Sequence, residues 1–277
     1  MGHGNHWGAI EEPVDELIPK IIPEVLAKGQ LSEPYPFKFQ KENEKLKAFD
    51  ALAAVMPSDT PLRYMVLLAR ENLKKGPKSF VFSAYPWCFE GTTNSLEVDK
   101  IEPWCNPIEG IIHANYQGAI VSFFDAEFYK NRTRYEVGKS YTFSLAGLAY
   151  SLKKAKHETV IVDDPRRIAI ERELVLKENP SADVSQIKSV KISLDGMCSL
   201  INSNKYPDDG SFRGVAREVT LIKVGSRSFY RLQITAIIVD DSPLDITIYA
   251  SKSVLGKYRP KNGDDVEGTL WLQGRLV

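Results

Sequence analysis

What this chain of 277 residues has little of narrows its class before any motif is sought. Cysteine is scarce, with three in all. An odd, low count argues against a disulfide-stapled scaffold and suits a reducing compartment with free thiols. Long apolar runs are missing too. Ala51 to Met56 is among the longest, far short of the roughly 18 residues that a membrane-spanning helix needs. Near the start, four acids accompany Lys20 as the single cation, with no apolar stretch behind a basic opening. Neither a secretory signal nor a transit peptide is expected. A cytoplasmic protein without membrane association is the expectation.

Net charge is also absent, since 36 Lys and Arg balance 36 Asp and Glu. Only residues 212–277 lean positive, with ten basic against seven acidic side chains. A protein that grips duplex phosphates shows a basic excess on the scale of a domain, and this is not one. Phosphate-cradling glycine loops, the Gly-x-Ser-x-Gly elbow, the dinucleotide fingerprint and the zinc-protease helix are all missing.

The patterns that are present suggest a helical front end. Val14, Leu17, Ile18, Ile21, Ile22, Val25 and Leu26 form one helical stripe. Pro19 and Pro23 interrupt it, so two short or kinked turns are expected, because proline removes a helical donor and crowds the preceding turn. Residues 42–56 repeat the stripe. The segment 61–75 reads as the clearest helix, with Thr60 to cap it, Pro61 in first place and Gly76-Pro77 to end it. Met1 to His6 reads as a mobile tail.

From Ser79 onward the texture changes to strands and turns. Phe212 to Val224, Ser228 to Val239 and Leu244 to Ala250 read as a meander, with turns at Gly225-Ser226 and Asp240-Asp241-Ser242-Pro243; after a loop, Asp265 to Leu276 reads as a last strand. Gly214 and Gly268 inside strands mark bulges or bends. A shift of 125 positions lays Val121–Phe124 on Ile246–Tyr249, Arg134 on Arg259, Gly138 on Gly263 and Leu145 on Leu270, which suggests one β unit built twice. This strand, glycine, meander and closing strand resemble an OB-fold barrel over residues 212–277, with a weaker repeat at 108–150. The OB-fold places a helix and two strands after its third strand. Here one strand and no helix are found, so the barrel is either incomplete or completed by another part of the chain. Between the copies, Asp164-Pro165 opens a helix over 166–177 that serves as a connector.

The expected fold class is therefore α+β: N-terminal helices packed on two small antiparallel OB-like β-barrels or curled sheets. The expected divisions are a helical region over 1–78, a first barrel-like domain over 79–163, a connector over 164–211 and a second barrel over 212–277.

Candidate chemistry is sparse. Pro-Trp-Cys occurs at 86–88 and again at 103–105, but the two thiols lie too far apart in sequence for a zinc pair, and packing is expected of them. No metal or cofactor is expected. The strongest contact surface is the loop 251–263, where Lys252, Lys257, Arg259 and Lys261 surround Tyr258. Such cations follow a single-stranded backbone while Tyr258, Phe229 or Tyr230 stacks a base. The leading expectation is a non-catalytic binding or interaction protein with a protein partner of unknown identity. A single-stranded nucleic-acid module is one alternative. A thiol enzyme using Cys88 or Cys105 with His113 is the other.

Overall fold

The computed structural model describes residues 3–11, 13–40, 45–73 and 76–277. No helix among them is long and apolar enough to cross a membrane. The chain opens with α1 (Gly4–Trp7) and α2 (Val14–Lys28), then β1 (Gln30–Leu31), β2 (Tyr35–Phe39), β3 (Lys47–Met56), β4 (Leu62–Leu73) and β5 (Gly76–Cys88). Strands β3, β4 and β5 form an antiparallel meander, and β1 and β2 both pair with β3 on its other side.

The helices expected at 42–56 and 61–75 are thus strands, as far as those segments fall within the described residues; 41–44 and 74–75 lie outside them. Ala51 to Ala54 in β3 and Tyr64 to Leu67 in β4 are buried without alternation. A strand covered on both faces reads as a continuous apolar run, which periodicity cannot separate from a buried helix. Thr60, expected as a cap, instead donates its hydroxyl to the Leu62 carbonyl. The segment 14–28 does form a helix, in one piece. Leu17, Ile21, Ile22 and Val25 are buried, while Pro19 and Pro23 stand on the exposed side. The carbonyls that lose their donors there belong to the exposed Asp15 and Pro19, where water replaces the bond.

Strands β6 (Thr92–Pro103), β7 (Gly110–Tyr116) and β8 (Ala119–Asp125), the turn α3 (Phe128–Asn131) and β9 (Ser140–Lys154) follow. Residues 155–197 then form a separate compact unit. In it β10 (Thr159–Val162) pairs antiparallel with β11 (Val190–Ser193), and α4 (Pro165–Glu178) lies between them in sequence. The helix expected there is present: the Asp164 carboxylate accepts from the Arg166 and Arg167 amides, and Pro165 takes the first turn. The chain returns with β12 (Ser199–Asn202), β13 (Asp209–Val215), β14 (Arg217–Val224), β15 (Arg227–Val239), β16 (Ser242–Ser251), α5 (Lys252–Leu255) and β17 (Asp265–Leu276).

The circuit β6–β7–β8–β17–β9 closes a five-stranded barrel. One member, β17, comes from the far end of the chain. β6 borders Ser140–Leu145 of β9, and β16 runs parallel to the next stretch, Ala146–Leu148. A curled sheet β13–β17–β9–β16–β15–β14 therefore shares β9 and β17 with the barrel. This corrects the expected fold class. The protein is mostly β, one closed barrel with added sheets, and not N-terminal helices on two barrels. The physical reason is that β17 spends its hydrogen bonds on β8 and β9 as well as on β13. Gly274 permits the closure, since a Cβ there would collide with the Phe123 ring inside the barrel.

Strand alternation divides the apolar side chains between two cores. Phe123, Leu270 and Leu272 point into the barrel and its curled extension. Phe124 and Trp271, one residue along, join the layer beneath the N-terminal sheet and α2.

Candidate functional site

The loop predicted to make contacts is partly ordered by its own backbone. Ser251 caps α5 by accepting from the Val254 amide. Lys252, Lys257, Arg259 and Lys261 are all exposed, and Arg259 Nη1 donates to the carbonyls of Gly256 at 2.6 Å and Tyr258 at 2.7 Å. The rings do not join them. Tyr258 is half-buried, with its hydroxyl donating to Asp264 Oδ2 at 2.9 Å. Phe229 is 0% exposed, inside the layer that holds Trp271 and Tyr249. Tyr230 packs against the other core, because adjacent strand residues face opposite ways.

The thiols and the histidine also stand apart from reactive geometry. Cys88 is buried, which pushes its thiol well above the usual range and disfavours the nucleophilic thiolate. Cys105 is exposed. Both ring nitrogens of His113 are engaged elsewhere, Nδ1 with Ser122 Oγ at 2.8 Å and Nε2 with Glu102 Oε2 at 3.2 Å. Among the described residues no cluster of three His, Cys, Asp or Glu side chains is placed to hold a metal.

Of the expected mobile tail, Met1 and Gly2 lie outside the described residues, and the histidines that follow are buried as a plug. His3 is 1% exposed and His6 9%. His3 lies within 5.5 Å of Trp104, Tyr85, Phe124 and Trp271, measured between ring centroids, and its Nε2 bonds Glu109 Oε1 at 2.9 Å. Burial pushes the Glu109 carboxyl up, but its hydrogen bond to His3, with help from Asn106, leaves it below its ordinary value. His6 stacks on Trp271 at 3.9 Å with an interplanar angle of 6°. Its Nδ1 meets the Tyr150 hydroxyl at 2.5 Å, and that hydroxyl donates to Asp209 Oδ1 at 2.7 Å. With its one proton given to Asp209, the hydroxyl must accept from His6, so the imidazole carries its proton on Nδ1. Burial, with His3 nearby, lowers the His6 pKa to about 3, and burial raises that of Asp209 to about 6. Trp271 Nε1 completes the cluster by donating to Asp208 Oδ2 at 2.8 Å.

A different polar group faces an open cleft of about 250 Å³, where β1, β2, β3, β4 and β5 meet the start of α3. Arg63 projects from β4 with Nε fixed on the Thr60 carbonyl at 2.9 Å. Its guanidinium lies 3.4 Å from the centre of the Phe89 ring, and Arg275 covers the same ring at 4.5 Å. Trp87 meets Phe89 edge-on at 4.9 Å and contributes to the cleft wall. Tyr35 and Tyr129 pack edge-to-face at 5.5 Å on another side. Lys130 pairs with Glu127 at 2.5 Å. Arg63 has no ion-pair partner among the described residues, and burial lowers its pKa from the usual arginine value. Under this wall, Asp125 is buried and accepts from Tyr135 at 2.6 Å and from the Glu127 amide. Burial raises its pKa to about 7.

Sequence reasoning missed this cleft because Arg63 and Trp87 sit on segments read as a helix and as a thiol motif. The repeated Pro-Trp-Cys was a usable signal, but the tryptophan and not the cysteine reaches the cleft wall. No protein-family model, curated protein or solved structure matches this chain.

Proposed function

We propose that this is a non-catalytic binding protein of a reducing, cytoplasmic compartment, and that it holds a small ligand in the cleft beside Arg63. One observation carries the reading. Arg63 is held by the Thr60 carbonyl and the Phe89 ring while its outer nitrogens lack a protein carboxylate, and a fixed but unpaired cation among aromatic rings is the composition of a recognition site. The raised thiol of Cys88 and the engaged nitrogens of His113 favour binding over thiol chemistry. The test is equilibrium dialysis of the protein and of Arg63→Gln against a small-molecule extract of its own cells. At least one compound retained by the parent and released by the variant is the expected result. Identical profiles would dispose of the reading.

The exposed cations of 251–263 favour a second reading, a contact with single-stranded nucleic acid. Oligonucleotide binding that weakens steeply with salt is its signature, and no binding at low salt removes it.

The same proposal treats β6–β9 and β13–β17 as two copies of one unit. Support comes from the parallel pairs Phe124↔Gln273 and Tyr249↔Leu148, whose partners are offset by 125 positions in both strands. The OB-fold resemblance belongs with this proposal.

A further inference from the structure

Resting on the cleft as a ligand site, we infer that its ligand is a small organic monoanion with a flat apolar body. Three observations converge. The cleft volume of about 250 Å³ is below that of a drug-sized pocket, roughly 300–1,000 Å³; it accommodates about one ring and one acid group. Its walls are apolar on the side of Leu31, Tyr35, Val55 and Tyr129, suited to a ring. Its charge is lopsided by one. Glu127 is committed to Lys130, which leaves Arg63 as the cation of the lining without an ion-pair partner among the described residues, while Glu90 and Asp59 from outside the lining and Glu127 from within it act on it at longer range.

Arginine suits this task. Its planar fork matches a carboxylate with two parallel bonds, and such charge-assisted bonds are roughly twice as strong as neutral ones. Stacking on Phe89 and the Thr60 bond set the orientation of the guanidinium in advance, so little side-chain freedom is lost on binding. A ligand cation finds no free carboxylate in the lining, because the Glu127 carboxylate already faces Lys130. A dianion finds one uncompensated positive charge for two negative ones.

The probes are sodium benzoate, neutral benzamide and sodium acetate, titrated into the full chain while the side-chain indole N–H signals are followed by 1H–15N NMR. Trp87→Phe identifies the Trp87 signal, which reports on the cleft wall. Benzoate shifts that signal saturably, with a half-point of about 10 mM or tighter for nine heavy atoms at ordinary ligand efficiency. Benzamide and acetate bind at least tenfold more weakly. Arg63→Gln weakens benzoate at least tenfold, Arg63→Lys recovers part of the affinity, and Lys20→Gln, at an exposed position on α2, changes nothing. Thermal melting of each variant separates lost binding from lost folding. Benzamide binding as tightly as benzoate overturns the anion and leaves the cleft as a site. A folded Arg63→Gln that binds benzoate unchanged overturns the role of Arg63. Silence of the Trp87 signal to all three probes overturns both the anion and the cleft.

Discussion

Two places in this molecule set an organic cation or its relative against aromatic rings, and they are built to opposite ends. Around His3 and His6 most polar groups are answered by another, with His3 Nδ1 a buried exception. Glu109 answers His3, Tyr150 links His6 to Asp209, and Asp208 answers Trp271. Around Arg63 the ring contacts are as close, yet the guanidinium lines a cleft whose one carboxylate, Glu127, is paired with Lys130. A buried network with its partners in place fastens a segment to the core. A positioned charge without one waits for something from outside. The difference between fastener and site thus lies less in residue types than in whether the charged groups are paired.

This contrast has measurable edges. The largest expected effect is on the fastener: Trp271→Ala removes a fully buried indole, its stack on His6 and its bond to Asp208, and costs about 3–5 kcal/mol in urea unfolding. A cost near 1 kcal/mol would show that the plug does not hold the core.

Next comes pH, because His6 in one region and Asp125 in the other are strongly shifted and their effects on stability oppose. His6 has a folded pKa of about 3 against 6.5, so its contribution is present above pH 6.5 and fades as pH falls toward 3. Asp125 has a folded pKa of about 7 against 3.8, so stability drains as pH rises from about 4 to about 7. Between pH 5 and 7.5 these amount to about 2 and about 3 kcal/mol respectively. Relative to the parent protein over that rise, His6→Asn should change stability about 2 kcal/mol less favourably. Asp125→Asn should change about 3 kcal/mol more favourably. Parallel pH profiles for all three proteins would remove both assignments.

Tyr150→Phe strips the hydroxyl that joins His6 to Asp209 and leaves a buried donor unanswered, at a cost of about 1–3 kcal/mol by chemical denaturation. The smallest effect belongs to the cleft. Arg63→Gln should cost about 1 kcal/mol or less, because the Thr60 bond and the Phe89 stack are lost but no ion pair is, while it abolishes ligand retention. A loss of stability as large as that of Tyr150→Phe would place Arg63 among the fasteners.

Legibility followed burial. The last strand, Asp265–Leu276, and the turns at Gly225-Ser226 and Asp240-Asp241 were readable because local rules act there: positive φ at Gly225, Asp240 and Asp241 suits two-residue hairpin turns. The helix opened by Asp164-Pro165 was readable for the same reason. Strands β3 and β4 were not, since burial on both faces erased alternation. Phe229 looked available for stacking on composition alone, and its place in the core layer depends on which face of β15 the sheet covers. His3 and His6 had no local signal at all, as their partners Glu109 and Tyr150 lie more than a hundred residues away.

By itself, then, the order of residues determined turns, the Asp164 cap, the amphipathic stripe of α2 and the closing strand, because each is decided by neighbours within a few positions. Only the tertiary structure decided that β17 completes a barrel begun by β6, that the N-terminal histidines are sealed, and that Arg63 is left open. Those outcomes depend on which distant surfaces exclude water together and which donors find acceptors there, and no short window of sequence contains that information.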